Sequence, residues 1–229
     1  MWTVATSDWH GMYPVSTSSY AVRVTSQAAK PYHHGNLREA LVEAGAELAR
    51  AQGPDGVVLR EVARRTGVSH NAAYRHFADR DELLSEIGSL AAAQLERAMQ
   101  RRLDTVTETD PGLRARARLR ETGRAYVEFA LAEPGLFNVA FCPTEAAEPK
   151  VGLAGPYLLL GRVLDELVEA GDLSPADRVG ADVVCWAAVH GLSVLLLDGP
   201  LRTLSGADRE GMLEKLLATV EQGLTGSLG

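Results

Sequence analysis

The segment TGVSHNAAYRHFADRDELL, Thr66 to Leu84, concentrates hydrogen-bond donors and cations. Within eleven residues stand His70, Asn71, Tyr74, Arg75, His76 and Arg80, with Ser69 just ahead of them and Arg60 opening the stretch before. Donors of this kind suit a polyanion. Asn71 matches the paired donor and acceptor on adenine's major-groove edge, and Arg75 matches a guanine or a phosphate. Tyr74 and His76 suit phosphate or sugar contacts, which set register without carrying sequence information. The small Ala72 leaves room for a thymine methyl, and Arg60 and Arg80 would grip the backbone on either side. Catalysis has less to stand on. Cys142, Cys185, His190 and several carboxylates are present, but no GxSxG, HExxH or nucleotide-loop motif accompanies them.

Two short helices must position these donors. The pattern predicts one over Arg60–Thr66 and another over His70–Phe77, separated by Gly67-Val68-Ser69, with Ser69 as the cap of the second. Gly67 offers the left-handed conformation that such a turn demands. Ala63 is small enough for a close crossing, and Val62, Val68, Ala73 and Phe77 fall where a shared core needs them. Residues 70 and 74, and 71 and 75, then form two adjacent rows on the free face. This is helix-turn-helix spacing, in which the second helix enters the major groove. The bland alternative is two solvated polar helix faces.

The run GNLREALVEAGAELARAQGPDGVVLREVARRTGVSHNAAYRHFADRDELL resembles the DNA-binding domain of tetracycline-repressor-type (TetR family) regulators. The likeness covers about Asn36–Ile87. It rests on the first helix ending at Gly53, on LREVARRTGVS, on Tyr74-Arg75-His76-Phe77, and on the acidic cap before Glu82-Leu83-Leu84. The resemblance implies that the helix around Tyr74 is the recognition helix. It places DNA contacts on Arg60, His70, Asn71, Tyr74, Arg75, His76 and Arg80, with Ser69 and Ala72 counted in the same interface. His70-Asn71-Ala72-Ala73 departs from the Lys-Gly/Ala-Thr/Ser-Leu/Ile of many members, and Ala72 lacks the hydroxyl that often reaches a phosphate.

Helical periodicity runs through nearly all the remaining chain, so the expected fold is all-α with about nine helices. Asn36 with Glu39 and Asp79 with Glu82 form capping boxes. The first helix places Leu37, Leu41, Ala44, Leu48 and Ala51 on one face. A long helix follows Asp79, with Leu83, Leu84, Ile87, Leu90, Ala91, Leu95 and Ala98 inward. Later helices are expected over Leu113–Ala132, after Pro134-Gly135, and over Gly155–Ala170, Pro175–Asp198 and Asp208–Leu224, with Cys142–Lys150 as a loop. The division expected is a flexible arm over residues 1–29, a helix-turn-helix domain over 30–80, and a ligand-binding and dimerisation domain over 81–229.

Charge follows this division. Lys30 to Arg80 holds 8 basic against 6 acidic residues, whereas Asp81 onward holds 14 against 23, within a net charge of −7. A mildly basic front on an acidic body excludes a protein coated along its length in nucleic acid. Two cysteines in no metal-like spacing suit a reducing cytoplasm as buried thiols, and no metal or cofactor site is expected. His33 and His34 are adjacent, a poor metal spacing; with Lys30 they would add phosphate contacts. The Ser/Thr-rich start lacks the basic and apolar regions of a secretory signal. Val179–Leu197 is nearly long enough to span a bilayer, but it carries Asp182, His190 and Ser193 and reads as a buried or interface helix.

The acidic body offers weaker signals. YVEFALAEPGLFNVAF and WAAVHGL are similar to a C-terminal TetR subtype marked by Trp, His and Gly, here Trp186, His190 and Gly191. Trp186 and His190 lie one helical turn apart. With Tyr126, Phe129, Phe137 and Phe141 they form either the lining of an apolar ligand cavity or simply a core. Val179, Val183, Trp186, Leu192, Leu195 and Leu196, with Leu213, Leu216, Leu217, Val220 and Leu224, leave apolar surface for a homodimer through the last two helices. The expected function is a homodimeric repressor that binds a near-palindromic double-stranded DNA operator and is released by an unknown small-molecule effector. The alternatives are a DNA-binding regulator without an effector, a dimerising scaffold, or an enzyme.

Overall fold

A computed structural model describes residues 37–141 and 154–226. The arm, Lys30, His33, His34, the cap Asn36, and the Cys142–Lys150 loop lie outside the described residues. Nine α-helices occur among those described, in the order α1 (Leu37–Gln52), α2 (Leu59–Arg65), α3 (His70–Tyr74), α4 (Arg80–Leu103), α5 (Pro111–Ala132), α6 (Pro134–Ala140), α7 (Ala154–Glu169), α8 (Ala181–Leu197) and α9 (Gly206–Thr225). The fold is all-α, as the periodicity indicates. No helix among the described residues is long and apolar enough to cross a membrane.

Local chemistry sets most of the boundaries. Asp79, Asp110 and Ser205 each cap a helix by accepting from the N–H three residues on, an arrangement that stabilises a terminus by about 1 kcal/mol. Glu82 completes the Asp79 cap by accepting from the Ala78 N–H at 2.7 Å. Proline stands in the first turn of α5 and of α6, where its missing N–H costs nothing.

Three expectations need correction. α8 begins at Ala181 rather than at Pro175, because Gly180 takes φ +80 and its left-handed backbone separates the Ser174–Val179 turns from the helix. α3 ends at Tyr74, and Arg75-His76 continue as a turn closed by His76 N–H to Ala73 O at 2.9 Å. On α1 the buried set is Leu41, Gly45, Ala46, Leu48 and Ala49, while Ala51 is exposed. Gly45 turns inward against α4, where a Cβ on it would meet the Ile87 side chain at 2.6 Å.

α4 is the central strut. It packs against α5, α6 and α7 and buries Leu83, Leu84, Ile87, Ala91, Ala92, Leu95, Met99 and Leu103. Each fully buried leucine contributes about 1.5–3 kcal/mol relative to exposure. α6 lies between this strut and the front helices. A Cβ on Gly135 would stand 2.0 Å from the Ala49 carbonyl, so the start of α6 sits directly on the end of α1. Arg50 adds an ion pair with Glu133 at 2.8 Å beside that contact.

Candidate DNA interface and effector cavity

The α2–α3 pair is built from the turn outward. Gly67 has φ +70, the left-handed backbone that favours glycine. Val68 N–H donates to Ala63 O at 3.0 Å, and Thr66 Oγ1 donates to Val62 O at 3.0 Å, closing the end of α2. Val62, Ala63, Ala73 and Phe77 are buried beneath. Ser69 caps α3, its hydroxyl oxygen accepting from the Ala72 N–H at 3.2 Å.

This frame leaves a polar face outward. Arg60, His70, Asn71, Tyr74 and Arg75 are exposed, and Tyr74 keeps 46% of its surface. The His70 and Tyr74 rings pack together with centroids 4.5 Å apart, joining them into one platform. The side chains of Arg60, Asn71 and Arg75 have no hydrogen-bond or ion-pair partner among the described residues, so their donors are uncommitted. Neighbouring cations are engaged. Arg64 and Arg65 both pair with Glu61 and hold that carboxyl down to about 2.

Three sequence-predicted residues have other surroundings. Arg80 donates from Nε to Val57 O at 2.9 Å and from an Nη to Pro54 O at 2.7 Å, so its guanidinium fastens the PDG turn. Ala72 is buried, with 9% of its surface open, so little of its methyl is left to meet a base. His76 is half-buried, and its carbonyl accepts from Arg38 at 2.7 Å. Sequence reasoning missed Arg38. It stacks over Phe77 at 4.4 Å and bonds Glu86 at 2.7 Å, so one α1 side chain ties the end of the recognition turn to α4. Its signal was faint, a lone arginine on a helix read only for its apolar face.

In the body, the six predicted aromatic positions do not act as one lining. Tyr126, Phe137, Phe141, Trp186 and His190 form a continuous ring cluster. Tyr126 is edge-on to Trp186 at 5.3 Å and to Phe137 at 5.8 Å, while His190 stacks on Phe137 at 5.5 Å and meets Phe141 at 4.7 Å. Phe129 stands apart, along an open α4–α5 groove with Arg97, Arg101 and Glu128. The Tyr126 hydroxyl and His190 Nδ1 share a hydrogen bond of 3.0 Å. Burial raises the Tyr126 phenol pKa and lowers that of the His190 imidazole, so both are held neutral.

A cavity of about 30 Å³ lies beside this cluster, among α4, α5, α7, α8 and α9. Tyr126 and Trp186 line it. The other walls, which periodicity did not single out for this purpose, include Leu119, Leu160, Cys185, Val189 and Leu217. Burial, and then Asp182, push the Cys185 thiol up to about 12. Among the described residues no group of three His, Cys, Asp or Glu gathers as metal ligands.

The exposed apolar residues predicted for dimerisation also divide. Val179, Val183 and Leu195 are exposed, and Val184 and Val194 of α8 and Met212 of α9, which the sequence reading did not name, are exposed with them. Leu192, Leu196, Leu213 and Leu217 are buried within the chain instead. The α9 stripe is therefore partly spent on packing against α5 and α8.

A capped, glycine-turned helix pair with an uncommitted donor face, mounted on a helical body, defines a helix-turn-helix DNA-binding regulator. Residues 41–87 match the model for bacterial regulatory proteins of the tetR family, and residues 119–220 match a tetracyclin repressor-like C-terminal domain. The chain belongs to the TetR family and is a DNA-binding transcriptional regulator. It is 24% identical over 194 residues to the uncharacterized HTH-type transcriptional regulator YobS of Bacillus subtilis (strain 168), covering 85% of this chain and 94% of that protein. Among solved structures, a protein of unknown function from Rhodococcus sp. RHA1 is 30% identical with a TM-score of 0.70, over 86% of this chain and all of that one. The fatty acid degradation regulator FadR from Bacillus halodurans shares the fold, with a TM-score of 0.63 at 16% identity over 87% of this chain and 98% of that one.

Proposed function

We propose that this regulator is a ligand-responsive homodimeric repressor. Two copies of α3 would bind a near-palindromic operator, and a small molecule in the body would release them. The observation that carries the DNA reading is the unpaired set Arg60, Asn71 and Arg75 around the Tyr74–His70 platform, while nearby cations are committed to the protein itself. Residues 30–80 then act as the DNA-binding part and 81–229 as the effector and dimerisation part, with α4 leading from one into the other.

Dimerisation is supported by the exposed valines and leucine of α8. They flank Ala187 and Gly191, and nothing within 4 Å would obstruct a Cβ on Gly191. A second helix can approach such a face closely, and burying it removes an apolar patch that a monomer would leave in water. Trp186, His190 and Gly191 thereby gain separate uses: a cavity wall, a link to α5 and a low point in the contact face.

Coupling would run through α6. Tyr126 touches both cavity and cluster, Phe137 of α6 packs against Tyr126 and His190, and Gly135 of the same helix rests on Ala49. A ligand that displaces Tyr126 or Trp186 shifts α6 and with it the front helices, changing the separation of the two recognition helices. DNA must then weaken ligand binding by the same factor. Selection from a random duplex pool tests the dimeric reading: it should enrich a site with two-fold symmetry bound by two chains, and an asymmetric site bound by one would refute it.

A further inference from the structure

We infer that the effector cavity takes a compact, uncharged, apolar molecule and rejects carboxylates and ammonium ions of the same size. This rests on the cavity being the effector site. Leu119, Leu160, Val189, Leu217 and Val220 give it apolar walls, and apart from the neutral Trp186 indole and Cys185 thiol the polar side chains on its border carry partners. Thr122 Oγ1 donates to Arg118 O at 2.9 Å, and the Tyr126 hydroxyl is shared with His190 at 3.0 Å. Arg120 is paired with Glu221, which is buried. Among the described residues no buried side-chain nitrogen or oxygen lacks a partner.

Arg120, charged and on that border, is already neutralised by Glu221, so an ion meets no net counter-charge there. A carboxylate drawn to Arg120 comes up against the buried Glu221 carboxylate, and an ammonium drawn to Glu221 comes up against the Arg120 guanidinium. Either ion gives up hydration for an attraction that the partner charge largely cancels, whereas an apolar molecule gives up none. The buried Cys185 thiol is neutral at physiological pH and adds no charge.

Size follows from the same walls. About 30 Å³ holds one or two waters, so a ring-sized ligand needs one wall to yield. Leu217 and Val189 close the gap over Gly123, since a Cβ there would meet Leu217 Cδ2 at 2.6 Å and Val189 Cγ1 at 3.3 Å. Trimming Leu217 or Val189 should enlarge the cavity without touching a polar pair.

The test uses the full chain with three probes of one shape, benzyl alcohol, benzoate and benzylammonium, read by calorimetry and thermal unfolding. Wild type, Leu217→Ala and Val189→Ala are compared, each first shown to be folded by circular dichroism. The expected result is that benzyl alcohol binds at least roughly tenfold more tightly than either ion, and more tightly still in the enlarged variants. If benzoate or benzylammonium binds as well as the alcohol, and Leu217→Ala alters that binding, the cavity stands as a site and the ligand class is overturned. If no probe binds wild type or either enlarged variant, or if binding ignores both substitutions, the cavity is not the effector site and the inference falls with that reading.

Discussion

The Tyr126 hydroxyl and His190 Nδ1 stand 3.0 Å apart, tying the middle of α5 to the middle of α8 beside the cavity. Phe137 and Phe141 pack on the same imidazole, so α6 is held by the pair as well. Tyr126→Phe keeps the ring contacts and removes only the bond. It should cost about 1 kcal/mol, because half-buried His190 loses its partner while retaining some access to water. Urea unfolding of the variant measures this directly, and an unchanged midpoint would show that water replaces the phenol.

The same imidazole predicts a pH dependence. Burial lowers its pKa in the folded chain below the ordinary value of about 6.5. Between those two values the unfolded chain binds a proton that the native state does not. Stability is therefore fully present above about pH 6.5 and declines as pH falls through the window below it. His190→Phe should flatten that part of the profile of urea midpoints against pH, and an unaltered slope would remove His190 as its source.

Gly135 gives a sharper test of the path between body and front helices. A methyl there would overlap the Ala49 carbonyl, so Gly135→Ala must push α6 away from α1 at a cost on the order of 1–3 kcal/mol. Operator affinity should change along with the unfolding midpoint. By contrast, breaking the half-exposed Arg50–Glu133 pair should cost about 0.2–1 kcal/mol and less at high salt. Unchanged operator affinity in Gly135→Ala would separate α6 from the control of DNA binding.

The α8 face should decide the oligomeric state. Val184→Glu with Leu195→Glu puts charge on two residues that each leave more than two-fifths of their surface exposed within one chain. If the proposed homodimer forms through this face, the double variant should sediment as a folded monomer at concentrations where wild type dimerises, and lose operator affinity with it. A variant that remained dimeric would move the interface elsewhere.

The fold was legible because its signals are local. Asp79, Asp110 and Ser205 mark helix starts by side-chain bonds within three residues, and Gly67 and Ser69 specify the turn between α2 and α3. The start of α8 was misjudged because Pro175 reads as a helix opener, whereas the left-handed backbone at Gly180 separates that turn from the helix. Exposed donors such as Arg60, Asn71 and Arg75 could be named from sequence. The commitment of Arg80 to Pro54 and Val57, and the burial of Ala72, depend on contacts that spacing does not encode. In the body, Tyr126 and Trp186 were found as aromatics, but the cavity walls Leu160, Val189 and Leu217 look like any core leucine or valine. A gap between packed helices depends on which side chains meet across it, and no one-dimensional pattern records that.

Whether α3 reads DNA is tested most directly by duplex binding across a salt series. Wild type would be compared with Tyr74→Ala and Arg75→Ala on DNA flanking the protein's own gene, on random duplex, and on any sequence enriched from a random pool. Wild type should prefer one sequence, with log affinity falling linearly in log salt. Either substitution should weaken binding roughly tenfold, and the slope should be shallower by about 1 for Arg75→Ala if that guanidinium meets a phosphate. Wild-type affinity in both variants, or no preferred sequence emerging from the pool, would contradict a reading role for α3.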